Sequence, residues 1–182
     1  MNQKRNRILI HTQKTVLSAV FAALVFAATS IVKFNIPATS GYVHFGDSIV
    51  LTAGFLLGPV YGTLAAAIGS MLADILGGYA SYALPTFIIK GLMALSAWIV
   101  FKTLSKKFRV FGKVLGGSAA VIVMVLGYFF AESVFMSYGL GALSAVPWNI
   151  VQGVFGLVTS VIITEVLASN RYVAKFLNRL EF

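Results

Sequence analysis

Three polar side chains that could form ion pairs or hydrogen bonds interrupt long apolar segments of this sequence. Lys90, Glu132 and Gln152 each lie several residues inside such a segment. A charged group in the hydrocarbon layer of a membrane is costly unless it is paired or faces a polar cavity. Three such groups at a similar depth therefore predict a shared cavity that holds a small polar molecule.

The sequence lacks the patterns of the common catalytic centres. It contains no cysteine, and its two histidines, His11 and His44, belong to opposite sides of the predicted membrane. It also has no G-x-x-x-x-G-K-[ST] phosphate loop, no H-E-x-x-H and no G-x-S-x-G motif. We therefore expect no catalytic residue, metal or cofactor in this chain, which would bind a molecule without hydrolysing ATP itself.

The composition indicates an integral membrane protein. Hydrophobic residues make up 59% of the chain and charged residues 10%, whereas a soluble domain has about 25% charged residues. We predict a single all-α domain, a bundle of six transmembrane helices with a short second helix. The predicted segments are 15–34, 48–57, 60–76, 83–101, 114–138 and 147–168. The second is too short to cross a ~30 Å layer at ~1.5 Å per residue, so it is expected to form a partly submerged hairpin with the third.

The basic residues predict the orientation. All of the fourteen Lys and Arg except Lys33 and Lys90 lie before the first segment, between the fourth and fifth, or after the sixth. These connections share one side of the membrane if the segments alternate, and the positive-inside rule then places both termini in the cytoplasm. The net charge of +9 is confined to these connections, so it does not indicate a nucleic-acid partner.

With this orientation, the polar side chains gather in the outer half of the bundle. The helical rise places Lys90 about 10 Å and Glu132 about 9 Å below the outer surface. Asn149 falls in the first turn of the sixth segment, and Gln152 lies one turn deeper. Structural alternatives remain open, because Lys90 could simply pair with Glu132, and the two amides could form hydrogen bonds between helices.

Aromatic side chains surround the same outer end. The loop from Asn35 to Gly46 carries Tyr42 and His44, which could close over a bound ring. Tyr82 and Trp148 could form walls of the cavity, although interfacial aromatic residues are common in membrane proteins.

Two acidic residues near this end allow more than one interpretation. Asp47 follows Gly46 and precedes an apolar run, which favours a helix N-cap. Asp74 lies near the outer end of the third segment, and its pattern fits a structural or a binding role equally well.

A stripe of small residues on the first segment is a second signal. Ala19, Ala23 and Ala27 recur every four residues, so they share one helix face. Such stripes let helices approach closely in lipid. Internal packing is the ordinary explanation, and docking of another membrane protein is the alternative.

Four motifs, in this order and spacing, resemble the S components of energy-coupling factor (ECF) vitamin transporters. They are GYVHFGD (Gly41–Asp47), LLGPVYG (Leu56–Gly62), GSMLADILGGY (Gly69–Tyr79) and IIKGLM (Ile88–Met93). The first and last look most like the branch assigned to hydroxymethylpyrimidine, a thiamin precursor, or pyridoxine. Riboflavin and pantothenate are less favoured substrates.

The resemblance implies a substrate-capture subunit in the plasma membrane of a prokaryote. Such subunits bind a vitamin outside the cell and work with a membrane T component and two cytoplasmic ATPases, which use ATP. The alanine stripe would dock the T component. The first outer loop and helices four to six would line the site, and toppling of the whole subunit would turn that site inward.

The roles that follow are hypotheses. Tyr42 and His44 would close the lid, Tyr82 and Trp148 would sandwich the ring, and polar contacts would come from Lys90, Glu132, Asn149 and Gln152. Two other classes of protein remain open: a standalone carrier coupled to protons or ions, and an accessory membrane subunit without a ligand.

Overall fold

A computed structural model describes residues 2–36, 39–105 and 109–180, with side chains from residue 7 onward. Seven helices and two strands form the framework. The helices are α1 (Asn2–Ile31), α2 (Asp47–Leu57), α3 (Thr63–Leu76), α4 (Ala83–Leu104), α5 (Arg109–Phe130), α6 (Val146–Ser169) and α7 (Arg171–Leu180). The strands are β1 (Lys33–Ile36) and β2 (Gly41–His44). π-Helical turns follow α2 (Gly58–Gly62) and α5 (Ala131–Phe135), and 3₁₀ turns precede α4 (Ala80–Tyr82) and α6 (Gly139–Ala145).

Helices α2 and α3 belong to one apolar stretch that folds back on itself. Gly58 has a φ of 74°, which interrupts the helix. A Cβ atom on Gly62 would lie 2.5 Å from the carbonyl oxygen of Ala53. Residues nine apart in a continuous helix are about 13 Å apart, so this contact requires the chain to reverse. The two helices therefore form a hairpin, with α2 as its short arm.

The short α2 occupies the centre of the bundle. Nine of its eleven residues are buried, and it packs against α1, α4 and α6. Glycines permit this close packing. A Cβ atom on Gly54 would lie 2.7 Å from the carbonyl oxygen of Ala94, and one on Gly156 would lie 2.7 Å from Cβ of Asp47. By contrast, α1 lies at the edge of the bundle, and only 11% of the residues in its most apolar stretch are buried.

The predicted all-α bundle with a short second helix is confirmed. Five helical stretches of the described chain have the length and hydropathy of a membrane-crossing helix. One of them, Asp47–Leu76, is the α2–α3 hairpin taken as a whole, and its two helices have 11 and 14 residues. The first helix begins earlier than the predicted residue 15 and ends at Ile31, before the predicted residue 34. Helices α1 and α5 both extend beyond their apolar runs, because a helix can continue from the hydrocarbon layer into the polar surface.

Two elements were missed. The outer loop contains an antiparallel β-hairpin, in which Lys33 is opposite His44 and Ile36 is opposite Gly41. Each strand has only four residues, which is too short for a clear alternating pattern. Pro37 of this loop lies outside the described residues. Helix α7 is basic and amphipathic, so a search for apolar runs does not detect it. We call the end of the bundle that carries β1 and β2 the hairpin end.

Candidate functional site

A buried ion pair joins α4 to α2 near the hairpin end. The ammonium nitrogen of Lys90 lies 2.5 Å from Oδ1 of Asp47, and both side chains are at most 1% exposed. Nε2 of Gln152 donates a hydrogen bond of 2.8 Å to the other carboxylate oxygen. The Gln152 carbonyl accepts a hydrogen bond of 2.8 Å from the backbone N–H of His44. This network connects α4, α2, α6 and β2, and we call it the Lys90–Asp47–Gln152 network.

The surroundings of this pair explain how two charges can be buried together. Asp47 is in the first turn of α2, where the helix dipole favours a negative charge. The Lys90 ammonium also contacts the sulfur of Met124 at 3.1 Å and lies 5.3 Å from the ring centre of Tyr128. The attraction between two buried charges offsets their loss of hydration only when such further contacts satisfy them.

The network corrects two sequence-based interpretations. Asp47 is not an N-cap, because Gly46 occupies that position and no side chain caps the helix. Lys90 pairs with Asp47 and not with Glu132, which contacts Tyr82 instead. Both errors arise because an ion pair between residues 43 positions apart depends on helix packing.

A small polar cavity lies beside the network, beneath the β-hairpin. Its volume is about 20 Å³, enough for about one water molecule. Typical ligand sites have roughly 300–1,000 Å³, so the structure shows this site closed. The cavity is lined by Ile36, Gly41, Tyr42, His44, Asp74, Tyr82, Thr86, Tyr128, Glu132, Asn149 and Gln152.

Hydrogen bonds from the bundle hold the β-hairpin over the cavity. The Tyr42 hydroxyl donates a hydrogen bond of 2.6 Å to Oδ1 of Asp74 at the end of α3. The Tyr82 hydroxyl lies 2.6 Å from the carbonyl oxygen of Thr39 and 3.1 Å from Oε1 of Glu132. Together with the bond from His44 to Gln152, these contacts tie Thr39 of the β1–β2 turn and strand β2 to the bundle.

Two carboxylate oxygens in the cavity wall lack hydrogen bonds. Within the part of the chain that the structure describes, Oδ2 of Asp74 and Oε2 of Glu132 are buried without a hydrogen-bond partner. A buried polar atom without a partner is costly. Because both residues line the same cavity, their free oxygens can accept hydrogen bonds from N–H or O–H groups of a bound molecule.

The two polar residues of strand β2 are uncharged at neutral pH. Burial, reinforced by the positive charge of Lys90, lowers the pKa of His44 from 6.5 to about 3. Its neutral ring accepts a hydrogen bond of 2.9 Å at Nδ1 from the backbone N–H of Gly46. Burial and the neighbouring carboxylate of Asp74 raise the pKa of Tyr42 above its usual value of 10. The phenol therefore stays protonated and can donate to Asp74.

The structure brings six of the eight predicted binding residues to the cavity wall: Tyr42, His44, Tyr82, Glu132, Asn149 and Gln152. Lys90 lies behind this wall, fully buried against Asp47. Trp148 is 52% exposed and lines a separate surface groove with Phe45 and Phe155. Tyr82 and Trp148 therefore do not face each other across the cavity, and the predicted sandwich is absent from this arrangement.

Sequence reasoning missed Thr86 and Tyr128 and left Asp74 undecided. Thr86 lies one helical turn before Lys90, and Tyr128 lies one turn before Glu132. Side chains four residues apart share a helix face, so this spacing was a usable signal. The two hydroxyls lie 3.0 Å apart in the cavity wall.

The alanine stripe faces away from the cavity. Ala19 and Ala23 are exposed and Ala27 is half-buried. The first two line an apolar groove of about 620 Å³ between α1 and α3, whose other walls include Leu64 and Ile68. A smooth surface of this kind allows another helix to approach closely.

The fold and the site together define an integral membrane protein with a closed polar cavity at the hairpin end. Residues 9–170 match the family described as ECF-type riboflavin transporter, S component. The chain therefore belongs to this family of ECF transporter S components, and it is a multi-pass transporter subunit rather than an enzyme. Such subunits work with a T component and ATPases in the plasma membrane of prokaryotes.

The chain is also similar to two individual proteins and to one solved structure, the last of which supports the fold. A Pyrococcus woesei protein, described as an uncharacterized protein in gap 3′ region, is 40% identical over 136 residues, covering 74% of this chain and 87% of that protein. The thiamine precursor transporter HmpT of Lactococcus lactis subsp. cremoris is 27% identical over 157 residues, covering 85% and 87%. A solved S component of a bacterial ECF transporter matches with a TM-score of 0.68 at 20% identity, covering 87% of this chain and 97% of that one.

Removing either member of the ion pair should destabilise the protein strongly. Lys90→Met and Asp47→Leu each leave one buried charge unpaired, at a cost of about 3–5 kcal/mol. The double variant should be more stable than either single variant, because it leaves neither charge. Thermal unfolding in detergent measures this coupling, with exposed Lys175→Met as the control. Additive losses in the double variant would contradict the coupling.

Acid should destabilise the closed hairpin through His44. Between pH 6.5 and about 3 the unfolded imidazole is protonated and the folded one is not, so stability falls as pH decreases. The loss is about 1.4 kcal/mol per pH unit, or about 2 kcal/mol at pH 5. His44→Asn keeps an acceptor for Gly46 but cannot titrate. The shift of the unfolding midpoint between pH 7 and pH 5 should therefore be smaller in His44→Asn than in the unmodified chain. An equal shift in both proteins would show that His44 does not cause the loss of stability in acid.

Proposed function

We propose that this chain captures a small heteroaromatic vitamin or vitamin precursor from outside the cell for an ATP-driven ECF importer. The observation that carries the proposal is the closed cavity beneath the β-hairpin, where Asp74 and Glu132 each present an unpaired carboxylate oxygen. A ligand that donates hydrogen bonds to both oxygens would remove the cost of burying them.

The chemistry of the cavity favours an aminopyrimidine. Hydroxymethylpyrimidine carries an amino group and a hydroxyl, which can donate to the two carboxylates, and a flat ring. The rings of Tyr42, Tyr82 and Tyr128 line the cavity and offer aromatic surface. Pyridoxine, with its hydroxyl donors, is the second candidate. The relative described as a thiamine precursor transporter supports the same substrate class.

Two other vitamins fit the cavity less well. Riboflavin, which the family description names, has a three-ring system that requires a much larger expansion of a cavity of about 20 Å³. Pantothenate carries a carboxylate, which the carboxylates of Asp74 and Glu132 would repel.

Entry of the ligand requires the β-hairpin to open. The hairpin is held to the bundle by Tyr42, by the carbonyl of Thr39 and by the backbone of His44. We infer that a ligand enters when these bonds break, and that Tyr42 and His44 then close over it as a lid. Hydrogen bonds that reform around a bound ring would lower the free energy of the closed state.

The proposed roles of the wall residues follow from their positions. Glu132, Asn149 and Gln152 supply polar contacts, and the Tyr82 ring contacts the ligand from the α4 side. Lys90 acts indirectly, because its ammonium fixes Asp47 and through it the amide of Gln152.

The importer needs partners that this chain does not contain. We propose that a membrane T component docks on the stripe of Ala19, Ala23 and Ala27, and that two cytoplasmic ATPases drive transport with ATP. The exposure of Ala19 and Ala23 beside an apolar groove supports this docking surface. The distribution of basic residues favours cytoplasmic termini, so the cavity would open outward.

Replacing the Glu132 carboxylate with an amide should weaken ligand binding. Glu132→Gln exchanges one acceptor oxygen for a donor, so affinity for hydroxymethylpyrimidine should fall about 10- to 100-fold, the value of a hydrogen bond to a charged group. Asp74→Asn should behave alike. Calorimetry on the purified chain measures this, and Lys175→Gln, at an exposed position of α7 at the opposite end of the bundle, is the control.

An analogue with oxygen in place of the amino group tests the same contact from the side of the ligand. It should bind the unmodified protein more weakly than hydroxymethylpyrimidine, and Glu132→Gln should reduce that difference. Unchanged affinity in both Glu132→Gln and Asp74→Asn would show that neither carboxylate contacts the ligand.

A bulky residue on the alanine stripe should block transport without affecting capture. Ala23→Leu places a larger side chain on the proposed docking face, so uptake by cells that contain the partners should be lost. Calorimetric binding by the isolated chain should be unchanged. Val20→Leu is the matched control, because Val20 is 49% exposed on α1 but does not line the groove. Normal uptake by Ala23→Leu would refute the docking role.

A further inference from the structure

A second polar cavity lies at the end of the bundle opposite the β-hairpin. It has a volume of about 300 Å³ and lies where α2, α4, α5, α6 and α7 meet. This volume reaches the lower limit of typical ligand sites, roughly 300 Å³. Its lining includes Lys102, Arg109, Lys113, Trp98, Phe101 and Asn178.

The charge of this cavity is positive. Lys113 is 1% exposed, and its ammonium donates hydrogen bonds to Oγ1 of Thr164 at 2.8 Å and to Oε1 of Glu165 at 2.7 Å. A lysine has three N–H donors, so one remains. Lys102 and Arg109 are exposed and form no ion pair with any residue in the described ranges. Glu165 therefore offsets only one of three positive charges.

Two of the basic residues lie one helical turn apart on α5. Arg109 and Lys113 both line the cavity, and residues four apart share a helix face. The first described turn of α5 contains no acidic residue that would offset their charge.

Helix α7 closes one side of the cavity. Ala174, Leu177 and Asn178, at positions i, i+3 and i+4, line it from one helix face. Leu180 is fully buried, while Tyr172 is 86% exposed. A short basic helix with one face on the bundle and an exposed aromatic residue is typical of an element at the membrane surface.

We propose that this cavity binds the phosphate headgroup of an anionic phospholipid. The cationic groups of Lys102, Arg109 and Lys113 would hold the phosphate, and the apolar walls formed by Phe55 and Trp98 would contact the adjoining glycerol and acyl chains. A free hydrated anion gains nothing from these apolar walls. Basic pockets at the cytoplasmic ends of membrane helices are suited to such headgroups, and the basic residues predict this end to be cytoplasmic.

Lipid binding to the purified full-length chain tests the proposal. The double variant Lys102→Gln/Arg109→Gln removes two cavity charges. The control Arg171→Gln/Lys175→Gln removes two charges from α7 that do not line the cavity. Native mass spectrometry counts phosphatidylglycerol molecules retained from mixed micelles with phosphatidylcholine, and thermal unfolding follows stabilisation by the same lipid.

The unmodified chain and the control should retain phosphatidylglycerol in preference to phosphatidylcholine and be stabilised by it. The cavity variant should bind it at least about tenfold more weakly. Equal losses in both double variants would show general charge attraction and overturn the proposal. So would equal protection by inorganic phosphate, which would indicate a site for a free anion.

Loss of assembly with partner proteins in the cavity variant, without any loss of lipid binding, would also overturn the proposal in favour of a protein contact. These measurements need no vitamin, so their outcome is independent of the function proposed for the cavity beneath the hairpin.

Discussion

The buried ion pair between Lys90 and Asp47 is the constraint on which the hairpin end depends. Neither charge is stable alone in an apolar bundle, so α2 and α4 must pack at the height where the two groups meet. Gln152 then uses both ends of its amide, donating to Asp47 and accepting from the backbone of His44. One of the three contacts that hold the β-hairpin therefore depends on charges that do not themselves line the cavity.

The buried polar residues of the hairpin end fall into two groups, those that satisfy one another and those that keep a free acceptor. Lys90 and Asp47 satisfy each other, whereas Asp74 and Glu132 keep free acceptor oxygens in the cavity wall. A site with unpaired acceptors discriminates against molecules that lack matching donors, because those oxygens would stay unpaired. The cavity is small because hydrogen bonds hold the β-hairpin against its wall. Tyr42 contacts Asp74, and Tyr82 contacts Thr39 and Glu132. Under the proposed function, capture of a ligand would exchange hydrogen bonds of the closed hairpin for hydrogen bonds with the ligand.

The sequence predicted the features that depend on helical rise and apolar length. The similar depth of Glu132 and Gln152 follows from counting residues along each helix, and both line the cavity. The partner of Lys90 could not be found in this way, because Asp47 is 43 residues away and local pattern favours an N-cap. Trp148 lies at the hairpin end of α6, as predicted, but its side chain faces a surface groove. The direction of a side chain within one helical turn depends on how the helix packs, which the sequence pattern does not show. Helix α7 was not predicted, because it is basic and contains no long apolar run.

An experimental structure of the chain with the small molecule that co-purifies with it would show whether the cavity beneath the β-hairpin is the binding site. We expect a heteroaromatic ring in this cavity, with donors within hydrogen-bond distance of Asp74 or Glu132 and with the Lys90–Asp47 pair intact. A molecule bound outside this cavity, or a ligand that contacts neither carboxylate, would contradict it.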